Sequence, residues 1–295
     1  MTGINFPQDY RLSKYDDLKD TFDLKHVISM IEKSFNYKES HKLSVDFYPL
    51  FTKENLENSH YLLFKDKVIG AIFCSNRKIN VNDIELSTAC LGGIFITEQH
   101  RGQGLFKPFF SQTLKNIQQK SNPDLFMLWS EKTRFYENLN FLNSGSTYYE
   151  YPSTPLNKCP DGFQKSSFDR ISPVQFEKIK TLYESELITS SFRRDHKDWE
   201  NIKNITSINL FYHTSKNGDI EGYFLKDKGM DLGGVIHEFT NDPITKKTIK
   251  PFSKITPYKP SHSDYSLIPS AMVKVLNEDV LNVIDEIYCN GADCV

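Results

Sequence analysis

The chain lacks the features that mark a metalloprotein, a disulfide-stabilised secreted protein or a membrane protein. Its five cysteines among 295 residues are an odd number without Cys-x-x-Cys spacing, which argues against a zinc site and a disulfide framework. No apolar run approaches the roughly 20 residues that a membrane-spanning helix needs. Lysine and arginine total 36 against 38 acidic residues, so no basic field favours nucleic acid or an anionic membrane. We therefore expect a cytoplasmic protein with no metal, nucleic-acid or membrane partner.

What the sequence does contain is enough apolar and aromatic residues for a large core. Hydrophobic residues make up 38% of the chain and aromatic residues 13%. At this length, such a composition suits one large domain or two domains of medium size.

The most informative stretch is a glycine-containing turn between an apolar strand and an amphipathic helix. The strand pattern ends at residues 94–96, the turn holds Gly102 and Gly104, and a helical run follows. This layout directs several backbone N–H groups at a helix N-terminus into one small volume, where their partial positive charge favours a phosphate or pyrophosphate. Glycine leaves no Cβ in the path of such a ligand. Pro108 predicts a kink or a late start of the helix.

Two motifs carry a family resemblance. The stretch 99–104 (QHRGQG) resembles the Q/R-x-x-G-x-G/A loop of the GNAT (GCN5-related N-acetyltransferase) superfamily. The stretch 135–141 (FYENLNF) resembles the F-Y-x-x-x-G-F segment of that superfamily, and it follows a strand-like run at 125–130. Asn140 stands where the family usually has glycine, and asparagine tolerates the left-handed conformation of a helix end. The resemblance implies an α+β GNAT fold with a mixed sheet.

The resemblance also implies an acetyl-CoA-dependent N-acetyltransferase. Loop N–H groups would hold the pyrophosphate, the preceding strand would pair with the pantetheine arm, and a strand N–H would polarise the acetyl carbonyl. The amine would attack the thioester directly, and Tyr136 would protonate the departing thiolate. The implied loop contacts are Arg101, Gly102, Gln103, Gly104, Leu105 and Phe106, and the implied strand contacts are Ile94, Phe95 and Ile96.

The group that deprotonates the acceptor amine is not evident from the sequence. Many family members carry a glutamate within the fourth strand, but residues 88–90 here are apolar or small. The alternatives are Glu85, Glu98, Glu131, the terminal carboxylate of Val295, and a water relay without a dedicated base.

The sequence pattern predicts that the second half repeats the first in order of elements. VIGAIF at 68–73 corresponds to IEGYFL at 220–225, and LGGI at 91–94 corresponds to LGGV at 232–235, although apolar strands with glycine also look alike by chance. No glycine loop follows the second LGG, so we expect this half to lack the cofactor.

We therefore divide the chain into a catalytic GNAT domain (1–150), a linker (151–162) and a degenerate GNAT-like domain (163–295). This tandem layout resembles bacterial two-copy acetyltransferases of the enhanced-intracellular-survival type. The expected acceptor is a primary amine of a small molecule, and residues 46–51 (DFYPLF) are expected to form a wall of its pocket. Acetylation of a protein lysine or N-terminus, and acyl-CoA binding without turnover, are the alternatives. A homo-oligomer is left open.

Overall fold

The computed structural model describes residues 6–18, 22–150, 156–186, 192–251, 255–256 and 265–294. The strands are β1 (Tyr10–Lys14), β2 (His60–Phe64), β3 (Lys67–Val81), β4 (Ile84–Ile96), β5 (Leu125–Leu128), β6 (Leu142–Glu150), β7 (Gln164–Ser166), β8 (Asn209–Thr214), β9 (Ile220–Lys226), β10 (Ile236–Phe239), β11 (Ile255–Thr256) and β12 (Tyr265–Val275). The α-helices are α1 (Leu24–Ser34), α2 (Leu43–Asp46), α3 (Lys53–Asn58), α4 (Phe106–Ser121), α5 (Thr133–Glu137), α6 (Pro173–Glu186), α7 (His196–Lys203) and α8 (Pro243–Ile249).

The first sheet has eight strands in the order β1-β2-β3-β4-β5-β12-β6-β11. Its pairs are antiparallel except β4 and β5, which are parallel. Both faces are covered, because successive residues of β3 alternate between two cores. Phe73 packs in the core that includes Ile31 of α1, whereas Ile72 and Cys74 pack in the core that includes Phe109 of α4. The mixed sheet between helices confirms the predicted α+β class.

The second sheet has the order β7-β8-β9-β10 and is antiparallel throughout. Helices α6 and α7 separate β7 from β8, just as α1 to α3 separate β1 from β2. Strand order therefore recurs between the halves. The short likeness of LGGI to LGGV does not reflect the same local structure. Residues 91–94 lie within β4, whereas 232–235 form a turn with Gly234 at φ +79°, and the next strand, β10, begins at Ile236.

The last strand departs from the predicted domain division. β12 pairs with β5 from Met272–Leu128 to Val275–Leu125, and with β6 along its other edge. Residues 265–275, assigned by the sequence to the second domain, thus belong to the first sheet. In the 3-10 helix that follows, Glu278–Glu286, Val280 and Val283 pack in the core that includes Ile31, here called the first core. The rest of the division stays a prediction, and linker residues 151–155 lie outside the described residues.

A buried ion-pair network joins the halves at the 3-10 helix Gly291–Asp293, here called the C-terminal turn. Arg194, Glu238 and Asp293 have fully buried side chains, and the Arg194 guanidinium lies 2.5 Å from a Glu238 oxygen and 2.8 Å from an Asp293 oxygen. Arg77 of β3 reaches the same Asp293 at 3.2 Å. Arg77 of the first sheet and Arg194 of the second half therefore converge on one carboxylate near the end of the chain, and Arg194 links it to Glu238 of the second sheet.

Local signals in the sequence act as expected. The Asp23 side chain accepts from the His26 N–H and caps α1. Helix α4 starts late, at Phe106, which places Pro108 within the first turn, where its missing N–H removes no helical hydrogen bond. Asn140 has φ +63°, the left-handed conformation anticipated for it. Among the helices of the described ranges, none combines the length and hydropathy needed to cross a bilayer.

Candidate active site

The connection between β4 and α4, here called the glycine loop (residues 97–105), presents backbone N–H groups without protein partners. No described side chain caps α4 at Leu105, and the first N–H bonded within the helix turn is that of Phe109, which donates to the Leu105 carbonyl at 3.1 Å. In the part of the chain that the structure describes, the N–H groups of residues 102–107 donate to no protein acceptor. With the helix dipole they form a positive site suited to an anion.

The two glycines of the loop are required by their backbone conformation. Gly102 has φ +73° and Gly104 has φ +74°, values that residues with a side chain rarely adopt. A Cβ built at either residue would meet no atom within 4 Å. The space in front of the loop is therefore open to a ligand, and protein crowding does not explain the glycines.

Arg101 holds the loop in place. Its Nε donates to the Ile96 carbonyl at 2.8 Å, and its Nη2 donates to the Ser34 hydroxyl at 2.5 Å. Its backbone N–H donates to the Glu98 carbonyl at 3.1 Å. The amide predicted for ligand binding is thus engaged within the loop, and the free set runs over 102–107 rather than 101–106.

Strand β4 has an open edge beside the loop. The pairing of β4 with β5 ends at Leu91–Leu128, but β4 continues to Ile96, so no strand of the described ranges pairs with residues 92–96 on that side. The pairing of β4 with β3 shifts register here, and Gly93 has φ +56°. Such a bulge bends the strand and redirects its backbone groups. The result is a groove along one side of residues 92–96.

Two of the three predicted strand contacts face this groove. Thr97 donates to Ile69 of β3 at 2.8 Å, and the Phe95 carbonyl also faces β3. Because backbone groups of successive strand residues point to opposite neighbours, Ile94 and Ile96 direct their N–H groups to the open side. Phe95 differs from the prediction, since its backbone serves β3 and its side chain is buried in the first core.

A cavity of about 610 Å³ lies at the inner end of the groove, and we call it the central cavity. Its floor is residues 91–94 of β4, and its far wall is residues 228–232 of the second half, the closing turn. Residues 47, 50 and 51 of the predicted acceptor wall line it as well. The lining residues are Ser34, Phe35, Asn36, Tyr37, Leu43, Phe47, Leu50, Phe51, Leu91, Gly92, Gly93, Ile94, Trp129, Ser130, Glu131, Lys132, Tyr136, Lys228, Met230, Asp231, Leu232 and Cys294.

Tyr136, the predicted catalytic residue, lies on this cavity. It belongs to α5, is 8% exposed, and its ring packs against Phe110 and Phe141. Burial raises the pKa of its phenol to about 12, so the hydroxyl stays protonated near neutral pH. Its hydroxyl has no hydrogen-bond partner within the described ranges, which leaves the proton available to a group in the cavity.

Of the base candidates named from the sequence, Glu131 lines the central cavity. Glu85 instead pairs with Lys78 at 2.5 Å, near the opposite end of β4, and Glu98 starts the 3-10 turn of the glycine loop. Val295 lies outside the described residues. Sequence reasoning missed Asp231, a carboxylate of the closing turn, whose pKa is raised first by burial and then by Asp46 and Glu131.

Lys228 anchors the closing turn. Its side chain is buried, and its ammonium donates to the Gly291 carbonyl at 3.0 Å and to the Cys294 carbonyl. The ammonium also lies 4.8 Å from the centroid of the Phe47 ring. Burial lowers its pKa. Lys228 therefore holds the C-terminal turn and the second half against the cavity.

The loop, the open strand edge and the cavity occur within one sequence unit. Residues 15–142 match the family model described as an acetyltransferase (GNAT) domain. The chain carries a GNAT acetyltransferase domain. This confirms the resemblance seen in the motifs at 99–104 and 135–141 and identifies residues 15–142 as an acetyltransferase domain. No curated protein sequence matches the chain significantly.

Solved structures share the GNAT fold over most of the chain. A probable N-acyltransferase from Enterococcus faecalis is 15% identical, with 91% of this chain and 72% of that chain covered and a TM-score of 0.61. Eis1 from Mycobacterium abscessus is 9% identical, with 92% of this chain and 74% of that chain covered and a TM-score of 0.55. N-myristoyltransferase from Saccharomyces cerevisiae with bound myristoyl-CoA is 10% identical, with 84% of this chain and 69% of that chain covered and a TM-score of 0.52. At these identities the likeness shows the fold alone.

Proposed function

We propose that the protein transfers an acetyl group from acetyl-CoA to the primary amine of a small molecule. The observation that carries this proposal is the sequence of sites along one path. The free amides of residues 102–107 lead to the open edge of β4, and that edge leads to a cavity that Tyr136 lines. Their order matches the order of pyrophosphate, pantetheine and thioester along acetyl-CoA.

The residues present fit acetyl-CoA. The amides of residues 102–107 would bind the pyrophosphate, because they combine free donors with a helix N-terminus. The N–H groups of Ile94 and Ile96 would pair with the amides of the pantetheine arm. The bulge at Gly93 directs the Ile94 N–H towards the cavity, where it would stabilise charge on the acyl oxygen. Acetyl-CoA supplies an acyl group activated as a thioester.

Tyr136 would act as the proton donor to the leaving sulfur. Its hydroxyl is protonated near neutral pH and has no competing acceptor among the described residues. A phenol whose pKa burial has raised is a weak acid. Its contribution would therefore begin as a hydrogen bond that strengthens as charge develops on sulfur.

The second half would complete the acceptor pocket without binding acetyl-CoA itself. Its helix α8 follows β10 as α4 follows β4, but the Asp242 carboxylate accepts from the Thr245 N–H at 2.8 Å and caps it. A side-chain anion thus occupies the position that an external phosphate would need. The closing turn of this half lines the central cavity, and a pocket walled by both halves favours a small acceptor over a protein tail. We also propose a cytoplasmic location, because the buried Cys74 and Cys90 are not joined in a disulfide.

Calorimetric titration with acetyl-CoA, followed by a thiol-release assay over a panel of amines, tests the proposal. We expect binding and release of free CoA with a small amine, and mass spectrometry should find the acetyl group on that amine. Labelled acetyl found on protein lysines instead would favour the protein-acetylating alternative. Binding without release for any amine would favour an acyl-CoA-binding module. Absence of binding would refute the assignment.

A further inference from the structure

A tyrosine and a buried carboxylate form a dyad on the wall of the central cavity. Tyr37 lines the cavity, and its hydroxyl donates to an Asp46 oxygen at 2.6 Å. Burial and the Asp46 carboxylate raise the pKa of Tyr37, so the phenol stays neutral. Because its proton is committed to Asp46, the phenol can take part in a further hydrogen bond only as an acceptor. The backbone of Met230 also approaches the phenol oxygen, so an amine in the cavity would share this oxygen with the closing turn.

Asp46 carries a negative charge with no cation beside it. The residue is 1% exposed, and no lysine, arginine or histidine nitrogen of the described ranges lies within 4.0 Å of its carboxylate. Lys228, the nearby cation, donates instead to the carbonyls of the C-terminal turn. Buried carboxylates are ordinarily paired with a cation, but Lys228 interacts with Asp46 only at longer range. The Asp46 carboxylate therefore also favours a cation that binds in front of Tyr37.

The second half keeps this carboxylate buried. Gly229 has φ +55°, and a Cβ on it would lie 2.3 Å from an Asp46 oxygen, so the closing turn packs directly on the carboxylate. Asp231 of the same turn lines the cavity and adds a second negative charge on this side. The positive Lys132 also lines the cavity, from the segment after β5.

The remainder of the cavity is largely apolar and aromatic. An apolar body bound there would gain about 25 cal/mol for each Å² of apolar surface that leaves water. The side chains that form this part are Phe35, Leu43, Phe47, Leu50, Phe51, Trp129, Met230 and Leu232.

We propose that Tyr37 and Asp46 form an ammonium subsite that selects an acceptor whose primary amine is carried on an aromatic or other apolar body. The Tyr37 oxygen accepts a hydrogen bond from the amine nitrogen, and the Asp46 charge behind it favours the cation. The aromatic wall excludes densely hydroxylated or multiply charged amines. This inference rests on the proposed function for its chemistry but concerns binding, which can be measured separately.

Calorimetry of phenethylamine binding to the CoA-loaded protein tests the subsite. The Tyr37→Phe variant should bind phenethylamine on the order of 10- to 100-fold more weakly, the loss typical of a hydrogen bond to a charged group. Its affinity for CoA should not change. Tyr212→Phe, which removes a tyrosine hydroxyl bonded to Gln164 in the second sheet, is the matched control and should bind both ligands normally. Asp46→Asn, if it folds, should show a similar selective loss.

Amine preference completes the test. We expect phenethylamine to bind at least tenfold more tightly than spermidine, glucosamine or the neutral 3-phenylpropanol. Equal binding by Tyr37→Phe and the wild type, or a preference for the polar amines, would overturn the subsite even if acetyl transfer occurs. Selective binding of phenethylamine without turnover would support the subsite and count against the proposed transferase function. Absence of binding by every amine would overturn the subsite.

Discussion

Alanine at Gly102 or Gly104 separates ligand binding from folding in the glycine loop. Both glycines have positive φ, a conformation that costs a residue with a Cβ about 1–2 kcal/mol. The added methyl group meets no atom within 4 Å, so the free protein bears only this backbone strain. At roughly 2–4 °C for each kcal/mol in a protein of this size, the melting temperature should fall by only a few degrees.

Acetyl-CoA binding should respond more strongly. An alanine that shifts φ to negative values turns at least one loop N–H away from the pyrophosphate, and its methyl group occupies the open space in front of the loop. A hydrogen bond to a charged group contributes about 1.5–3 kcal/mol. Loss of one such bond should therefore raise the Kd for acetyl-CoA by about 10- to 150-fold.

Calorimetric titration measures the Kd, and Gly218→Ala provides the control. Gly218 lies in the turn between β8 and β9 at φ +89°, again with no atom within 4 Å of a built Cβ. Its replacement should cost similar stability and leave the Kd unchanged. If the alanine variants of Gly102 and Gly104 bind acetyl-CoA as well as Gly218→Ala does, the loop is not the pyrophosphate site.

Three further outcomes follow from buried groups. Tyr136→Phe should lower kcat by about 100-fold or more with an unchanged Kd for acetyl-CoA, because it removes only the proton donor; unaltered kcat would exclude Tyr136 from proton transfer. Arg194→Met should lower the free energy of unfolding by about 3–5 kcal/mol in urea, since it leaves the buried Glu238 without a cation and Asp293 with Arg77 alone; a change below 1 kcal/mol would contradict this. Stability should also fall as the pH drops from about 6.5 to 4. Burial lowers the pKa of both His60 and His237 from 6.5 to about 4. Between pH 6.5 and pH 4 the unfolded chain therefore binds more protons than the folded protein does. Urea midpoints across this range measure the slope, which His237→Gln should reduce; an equal slope in that variant would show that His237 does not contribute.

Local rules predict much of the first half, because they act over a few residues. A cap at Asp23 and a proline near the start of α4 depend only on neighbouring backbone groups. The glycines at 102 and 104 mark positive φ in the same way. The glycine loop could therefore be located from the sequence along with the class of fold, whereas the roles of its residues and of Tyr136 stay predictions.

Contacts between distant segments could not be predicted in this way. β12 lies about 140 residues from β5 in the sequence, and no turn signal or periodicity indicates that it enters the first sheet. The closing turn is likewise placed by the Lys228 bonds to the C-terminal turn and by the close approach of Gly229 to Asp46. These contacts are set by packing, so the acceptor side of the cavity emerges only from the three-dimensional structure.

The two helix N-termini explain how halves of similar strand order can differ in chemistry. At α8, the Asp242 carboxylate accepts from the N–H of Thr245 and also lies 3.1 Å from His213. A side-chain cap of this kind stabilises a helix by about 1 kcal/mol. At α4, Leu105 offers no such cap, and the preceding glycines hold the amides pointed at open space. Removing the Asp242 cap alone would not create a second site, since no glycine precedes α8 between residues 236 and 242. The first half thus leaves the N-terminal N–H groups of α4 uncapped, whereas in the second half Asp242 caps α8. The helix N-terminus that needs an anion from a ligand is therefore the one beside the cavity.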